Sequence, residues 1–394
     1  MKGTRLMLLG AGELGKETAI AAKGLGLRVV AVDRYENAPA MQVADHGEVI
    51  SLLDPTSLEG AVRTHRPDYI VPETEAVRAT KLTELEAEGY PVVPGARALA
   101  LTIDREATRR LVRDTLQLPC PAYAVAASEE ELRDACDQVG YPCVAKPVMS
   151  SMGRGQSVVS GPAKVERAWE YAQMGSSADE VRLVAEEYVD FDLEVALLAI
   201  RQRDGRIFFS NPVAHRHEDG IFREAWMPAG ISPEHLAEAR ETARKIMDHL
   251  GGVGLFAVEF FVTSSGVLVS EVVSRPHASG MVTLVSQDLS QFELQLRSFL
   301  GLPVPTVRYH GAAACAAILA SEGGRVEGHE GLERALEVPT AQLRLFGKAD
   351  AYRGRRMGVV LAMGRDTSEA RSRALEAAAR VEVKVEPRSR RRAP

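Results

Sequence analysis

At 394 residues and 45% hydrophobic content, the chain is long enough for two or three domains with ample core. Its 48 Lys and Arg stand against 54 acids, a formal charge of -6, which argues against a general nucleic-acid surface but leaves room for a local phosphate pocket. Cys120, Cys136, Cys143 and Cys315 lack C-x-x-C spacing, as expected of reduced thiols in a cytoplasmic protein without a structural metal cluster. No apolar run approaches a membrane span, and the apolar stretch RLMLLGAG begins too early for a signal segment.

In chain order, RLMLLGA reads as a strand, followed by a helix from about Glu13, the strand LRVVAVD, a helix near Leu58 and the strand DYIVPE, which is βαβ order. DREATRRLVRDTLQL starts with an N-capping aspartate and predicts a helix closing this first unit. A second unit begins near Pro119, with a helix around Glu130, the strand PCVAKPV, a Ser- and Gly-containing loop, QSVVS and another helix. RLVAEEYV, DLEVALLAI, GRIFFSNPV and FREAWMPA then read as antiparallel strands, with Asp204-Gly205 marking a hairpin. Apolar residues recur at helical spacing from Pro233 to Leu250. The strands GLFAVEFFV and VLVSEVV follow, and from about Gly301 a strand, a mixed region, RLFGKAD, RRMGVVLAMG and a last helix make a small closing unit. The basic C-terminal PRSRRRAP reads as a solvated end.

Gly10-Ala11-Gly12-Glu13-Leu14-Gly15 matches G-x-G-x-x-G between strand and helix, and Asp33 ends the next strand where a ribose-binding acid belongs. On its face that is a nicotinamide site. The same turn offers free N–H groups and a positive helix end to any phosphate or carboxylate, whereas Glu13 would repel a pyrophosphate and suit an amine or hydroxyl. Glu73 and Glu75 follow the third strand, where open sheets bind ligands, and read equally well as solvated loop acids.

Lys146 closes an apolar strand and precedes the loop Ser151-Met152-Gly153-Arg154-Gly155-Gln156, a fixed cation with a glycine-containing lid of the sort that nucleotide phosphates need. Arg105 is either a second cation for that site or a plain surface residue. The strand edge Glu186-Glu187-Tyr188-Val189 can offer backbone groups to adenine, with Glu194 on the ribose hydroxyls; an exposed acidic turn reads the same. Lys348, Arg355 and Arg356 can grip a phosphate monoester or remain solvated. His215, His217 and His277 are scattered without zinc spacing.

The strongest local signal is Glu259 in GLFAVEFFV and Glu271 in VLVSEVVSRPH, flanking Ser264, Ser265 and Gly266. A three-residue turn pairing Thr263 with Val267 places the two glutamates opposite each other. Facing carboxylates on an apolar hairpin repel unless a cation joins them, which points to Mg²⁺; a salt bridge from Arg275 is the alternative.

Together the lysine with its glycine loop, the acidic strand edge and the hairpin ending S-E-x-x-x-R-P-H resemble the ATP-grasp superfamily. Within it, LLGAGELGKE, AVDRYENAPAM, YIVPETEA, YPCVAKPVMSSMGRGQ, HRHEDG, GMVTLVSQDLS and RLFGK resemble the formate-dependent phosphoribosylglycinamide formyltransferases over nearly the whole chain. The resemblance implies an α/β fold, α+β in the ATP-binding part: a Rossmann-like domain at 1–112, an ATP-grasp domain at 113–317 and a small C-terminal domain at 318–394. It implies ATP on Arg105, Lys146, the loop Ser151, Met152, Gly153, Arg154, Gly155 and Gln156, the edge Glu186, Glu187, Tyr188 and Val189, and Glu194. It further implies Mg²⁺ on Glu259 and Glu271, glycinamide ribonucleotide on Glu13, Leu14, Glu73, Lys348, Arg355 and Arg356, catalytic roles for Arg275 and Lys146, and a homodimer acting on formate and other small molecules in purine biosynthesis, without nucleic-acid or membrane partners. The glycine turn then serves the acceptor rather than a dinucleotide. The family pattern S-P-R-P-H-D-T-G reads here Val273-Ser274-Arg275-Pro276-His277-Ala278-Ser279-Gly280, so the acid expected beside the acceptor amine is Ala278, and a ligase or formyltransferase acting on a different amine is the alternative.

Overall fold

Four parallel strands in the order 46–49, 28–33, 5–9, 69–72 form the N-terminal sheet of the computed structural model, which describes residues 3–150, 153–175, 181–218, 220–304 and 306–386. Leu6, Met7, Leu8 and Leu9 are fully buried in its middle strand, the continuous apolar run expected of a parallel strand covered on both faces. The glycine turn follows. A Cβ at Gly10, whose φ is +101°, would stand 2.9 Å from Thr74, and one at Gly15 would stand 2.7 Å from the Gly10 carbonyl, so helix and strand meet through backbone. Asp33 accepts hydrogen bonds from Ala11 N–H and Arg34 N–H, both at 2.8 Å. Its carboxylate is thus engaged by the turn and the next residue.

The segment 104–115 forms the helix Arg105–Arg109, capped by Asp104 on Ala107 N–H at 2.9 Å, and continues as a π turn over Arg110–Thr115. Beyond it, an antiparallel sheet in the order 123–126, 183–187, 143–147, 157–159 packs beneath the helices Glu129–Val139 and Val165–Gly175.

The largest sheet runs 266–273, 254–263, 193–201, 213–218, 221–227, 312–319, 356–364, 342–345, with 207–209 paired to 193–201. The C-terminal strands therefore extend the central sheet through the 221–227/312–319 pairing. The helix Pro233–Leu250 covers one face with Ala239, Ala243, Ile246 and Leu250 against Phe256, Val258, Phe260 and Val262. A smaller sheet, 350–351, 324–330, 382–386, closes the chain.

The hairpin carrying the two glutamates differs in its turn from the expected form. Thr263 pairs with Gly266, so the turn has two residues and the register starts one position off. A β-bulge at Ser270 corrects it: Phe260 pairs with Val269, and Glu259 with Glu271. The pairing expected from the sequence is present, produced by a shorter turn plus a bulge.

Candidate active site

The bulge is held by a buried side chain with no signal in the sequence. Arg109, only 3% exposed, donates to the carbonyls of Val269 at 3.0 Å and Ser270 at 2.6 Å, on either side of the point where the ladder slips. Its Nε donates to Glu186 at 2.7 Å, and the other Glu186 oxygen accepts from Lys146 at 2.7 Å. Burial alone would raise the Glu186 pKa; the two cations reverse that and hold the carboxyl well below the usual range. One glutamate thus aims Lys146, and the arginine that fixes the glutamate also fixes the hairpin.

Lys146, Glu186, Gln156, Arg105, Thr108 and Glu271 line one cavity with Arg109 and Ser270. Arg105 bonds the Pro147 carbonyl at 2.7 Å and Ser150 Oγ at 3.0 Å, and stands 3.7 Å from Glu271, so the residue that read equally as surface charge lies across the cavity from the hairpin. In the loop, Gly153 has φ +68° and a Cβ there would stand 2.8 Å from the Gly220 carbonyl; Gly155 is buried and Arg154 exposed. Ser151 and Met152 lie outside the described residues. Glu187 and Tyr188 are exposed and Val189 half-buried, with Glu187 accepting from Ala122 N–H at 3.1 Å.

On the central sheet, Glu194 pairs across strands with His215, and Glu259 pairs with both Ala196 and Glu271, which puts all the acids on one face. The histidines that look scattered in sequence converge there. His215 Nε2 lies 3.3 Å from Glu194 and 3.4 Å from Glu259, His217 Nδ1 3.1 Å from Glu194, and His277 Nε2 2.9 Å from Glu259. Burial would raise the Glu259 pKa, but His277 and His215 hold it down at about 2; burial would lower that of His215, but Glu259 and Glu194 push it up to about 9. Glu259 is therefore a buried anion already balanced by imidazoles. Glu271 is 42% exposed with only the long Arg105 contact among its ion pairs in the described residues, leaving its oxygens free to ligate a hard cation.

A second group gathers at the glycine turn. Glu13 bridges Lys348 and Arg356, each at 2.9 Å, and Lys348 also donates to the Arg356 carbonyl. Burial would raise the Glu13 pKa; Lys348 and Arg356 hold it at about 2. Arg355 packs over Tyr352 and bonds the Asp350 carbonyl at 2.5 Å. Two of the expected phosphate cations, Lys348 and Arg356, and the expected amine-binding acid thus form one network across 343 residues of chain, with Arg355 bonded elsewhere. Leu14 joins an apolar cluster that Ala278 also borders. Arg275 pairs with Glu75 and donates to the Pro276 carbonyl at 3.0 Å.

Glu73 is buried, accepts from Thr18 Oγ1 at 3.0 Å and leaves Oε2 without a partner among the described residues. Burial pushes its pKa up to about 8, so it is a neutral acid at pH 7. The folded-state pKa exceeds the ordinary 4.5, so the stability Glu73 contributes is complete below about pH 4.5 and lost as pH rises through 8. Thermal unfolding from pH 6 to 9 should therefore show wild type losing stability by a few kcal/mol relative to Glu73→Gln; parallel curves would mean that the carboxyl is already ionised.

Comparison with known proteins finds relatives along nearly the whole chain. The family models that match are the ribonucleotide synthetase preATP-grasp domain at 4–103, the ATP-grasp domain at 111–292 and the PurT C-terminal domain at 313–381. Formate-dependent phosphoribosylglycinamide formyltransferases from Solidesulfovibrio magneticus and Shewanella amazonensis are 49% and 50% identical to it, covering 97% and 96% of this chain and 97% of each relative. This chain belongs to the formate-dependent phosphoribosylglycinamide formyltransferase family. Among solved structures, glycinamide-RNase-transformylase T from Mycobacterium tuberculosis is 34% identical with a TM-score of 0.77, covering 95% of this chain and 99% of that one. An ADP complex of N5-carboxyaminoimidazole ribonucleotide synthetase is 28% identical with a TM-score of 0.85, covering 96% and 97%. The family's ATP-grasp fold with a preATP-grasp N-terminal domain is the architecture described above. No helix of the described residues is long and apolar enough to cross a membrane.

Proposed function

We propose that this chain uses ATP and formate to formylate the amine of glycinamide ribonucleotide, releasing ADP and phosphate. The observation carrying this reading is the cavity in which Lys146, aimed by Glu186, faces Arg105 and Glu271, in a chain about half identical to formyltransferases of that name. Lys146, Arg105 and the backbone of Gly153, Arg154, Gly155 and Gln156 hold the triphosphate, with Ser151 and Met152 completing the loop. The edge Glu186 to Val189 takes adenine through its backbone, and Glu194 the ribose. Mg²⁺ would be held by Glu259 and Glu271, where it supplies screening of the phosphate oxygens. A formate oxygen attacks the γ-phosphorus, the bond to ADP breaks, and Arg275, steadied by Glu75, stabilises the charge on the transferring group. The acceptor amine attacks the formyl carbon of the resulting formyl phosphate, loses a proton and expels phosphate. Lys348, Arg355 and Arg356 grip the acceptor's 5′-phosphate, while Glu13, Leu14 and Glu73 contact its glycinamide and ribose end. Closure of the 150–156 loop would exclude water and so protect the acyl phosphate. The chain divides into three domains near 112 and 317, the first division falling within the π turn 110–115 and the second within the strand 312–319, in a cytoplasmic homodimer.

A second reading keeps the ATP and formate chemistry but changes the amine. It is favoured by Ala278, which borders the apolar cluster containing Leu14 where the resemblance expects an acid. ADP release in the presence of ATP, Mg²⁺ and formate decides between them across a panel of amines. Glycinamide ribonucleotide is expected to raise the rate at least about tenfold over the other amines. No stimulation by it, with stimulation by another amine, establishes the second reading; no stimulation by any amine sinks both.

A further inference from the structure

The sheet face beside the nucleotide cleft holds more nitrogen ligands than Mg²⁺ chemistry uses. Glu194 Oε2 lies 3.3 Å from His215 Nε2 and 3.1 Å from His217 Nδ1, and ligand atoms of all three residues lie within 4.8 Å of one another. The edge of a tetrahedron built on metal–ligand bonds of about 2.0–2.1 Å is about 3.3 Å, so the two carboxylate–imidazole pairs of the metal-free protein already stand at spacings that a small cation could bridge. The imidazoles stand edge-on at 85°, with centroids 5.2 Å apart, which lets Nε2 of one and Nδ1 of the other converge. His215 is 2% exposed; its Nε2 lies at ion-pair distance from Glu194 and Glu259, but neither ring nitrogen meets hydrogen-bond geometry among the described residues. A cation bound here would take the place of the proton that the carboxylates hold on this imidazole. Two imidazoles and one carboxylate are the donor set of borderline divalent metals, whereas Mg²⁺ takes oxygen.

We propose that Glu194, His215 and His217 form a site for a borderline divalent transition cation such as Zn²⁺ or Co²⁺, separate from the Glu259–Glu271 pair. Glu259, 3.4 Å from His215 Nε2, borders it and joins the two centres electrostatically. A consequence rests on the function proposed above: a cation here withdraws Glu194 from the ribose, so transition metal and ATP compete and the metal inhibits.

The test is a titration of the full chain with Co²⁺ in excess Mg²⁺ and without nucleotide, read by the visible absorption of low-coordinate Co²⁺. One equivalent is expected to bind, with affinity reduced at least about tenfold in His217→Gln. His65→Gln serves as control because His46, Glu48 and His65 form another candidate trio. Matching thermal midpoints in chelator would show that His217→Gln is folded. Absence of binding, affinity unchanged by His217→Gln, or loss in His65→Gln instead overturns the site. ATP is then added to the Co²⁺-loaded protein, with its own binding measured separately in chelated protein. Binding of Co²⁺ at His217 without displacement by ATP that does bind would leave the metal site standing and remove Glu194 from the ribose.

Discussion

Glu271→Gln is expected to lower turnover by about two to three orders of magnitude at saturating substrates and to raise the Mg²⁺ concentration needed for half-maximal rate. The two glutamates are unequal, and that inequality makes this the informative substitution. Glu259 is buried and already neutralised by His277 and His215, so changing it disturbs a charge network as well as any metal. Glu271 is partly exposed and its nearest cation, Arg105, is 3.7 Å away, so Gln changes the ligand charge while the hairpin keeps its register through backbone bonds and Arg109. Steady-state ADP release as a function of Mg²⁺ is the measurement. Wild-type turnover in Glu271→Gln at saturating Mg²⁺ would remove the metal from this pair.

The hairpin also shows where sequence reading reaches and where it stops. Alternation of apolar residues around Glu259 and Glu271 announces two strands, and a plausible turn sets them opposite each other. The observed turn is one residue shorter, and the lost residue returns as the bulge at Ser270. A bulge leaves no mark on hydrophobic period, because it depends on what fixes its carbonyls, here an arginine 160 residues earlier. Arg109 itself reads as one more cation on a polar helix face. Only the packing of the helix Arg105–Arg109 and the following π turn against the hairpin turns it inward. The helix from Pro233 to Leu250 was legible to the residue because Ser232 caps it and glycine ends it, both local signals. The three histidines were not: His215 and His217 share a strand face, but His277 arrives from the loop after the next hairpin, a juxtaposition set by sheet order alone. Likewise the pairing of Glu13 with Lys348 and Arg356 spans nearly the whole chain and has no local pattern.

Glu186→Gln is expected to cost about 3–5 kcal/mol of stability, the largest loss from any single substitution considered. Glu186 and Arg109 are 2% and 3% exposed, and Lys146 joins them from the neighbouring strand, so the carboxylate balances one buried cation and one that lines the cavity. Gln keeps the volume and can accept one hydrogen bond, but leaves a net buried positive charge. The same substitution loosens both ends of the cavity: Lys146 loses the group that aims it, and Arg109 loses the anchor opposite the Val269 and Ser270 carbonyls. Nucleotide affinity should therefore fall along with stability. The pH dependence carries the same signature. Because the cations depress the Glu186 pKa, its contribution is complete above the ordinary glutamate value of 4.5 and is lost progressively as pH falls from there toward the depressed folded-state value. Denaturant unfolding at pH 7 and at successive steps below pH 4.5 is the check: wild type and Glu186→Gln should be widely separated at pH 7 and converge progressively as pH falls well below 4.5. Equal midpoints at pH 7 would mean that the two cations find another counter-charge, and that Lys146 is aimed by something other than Glu186.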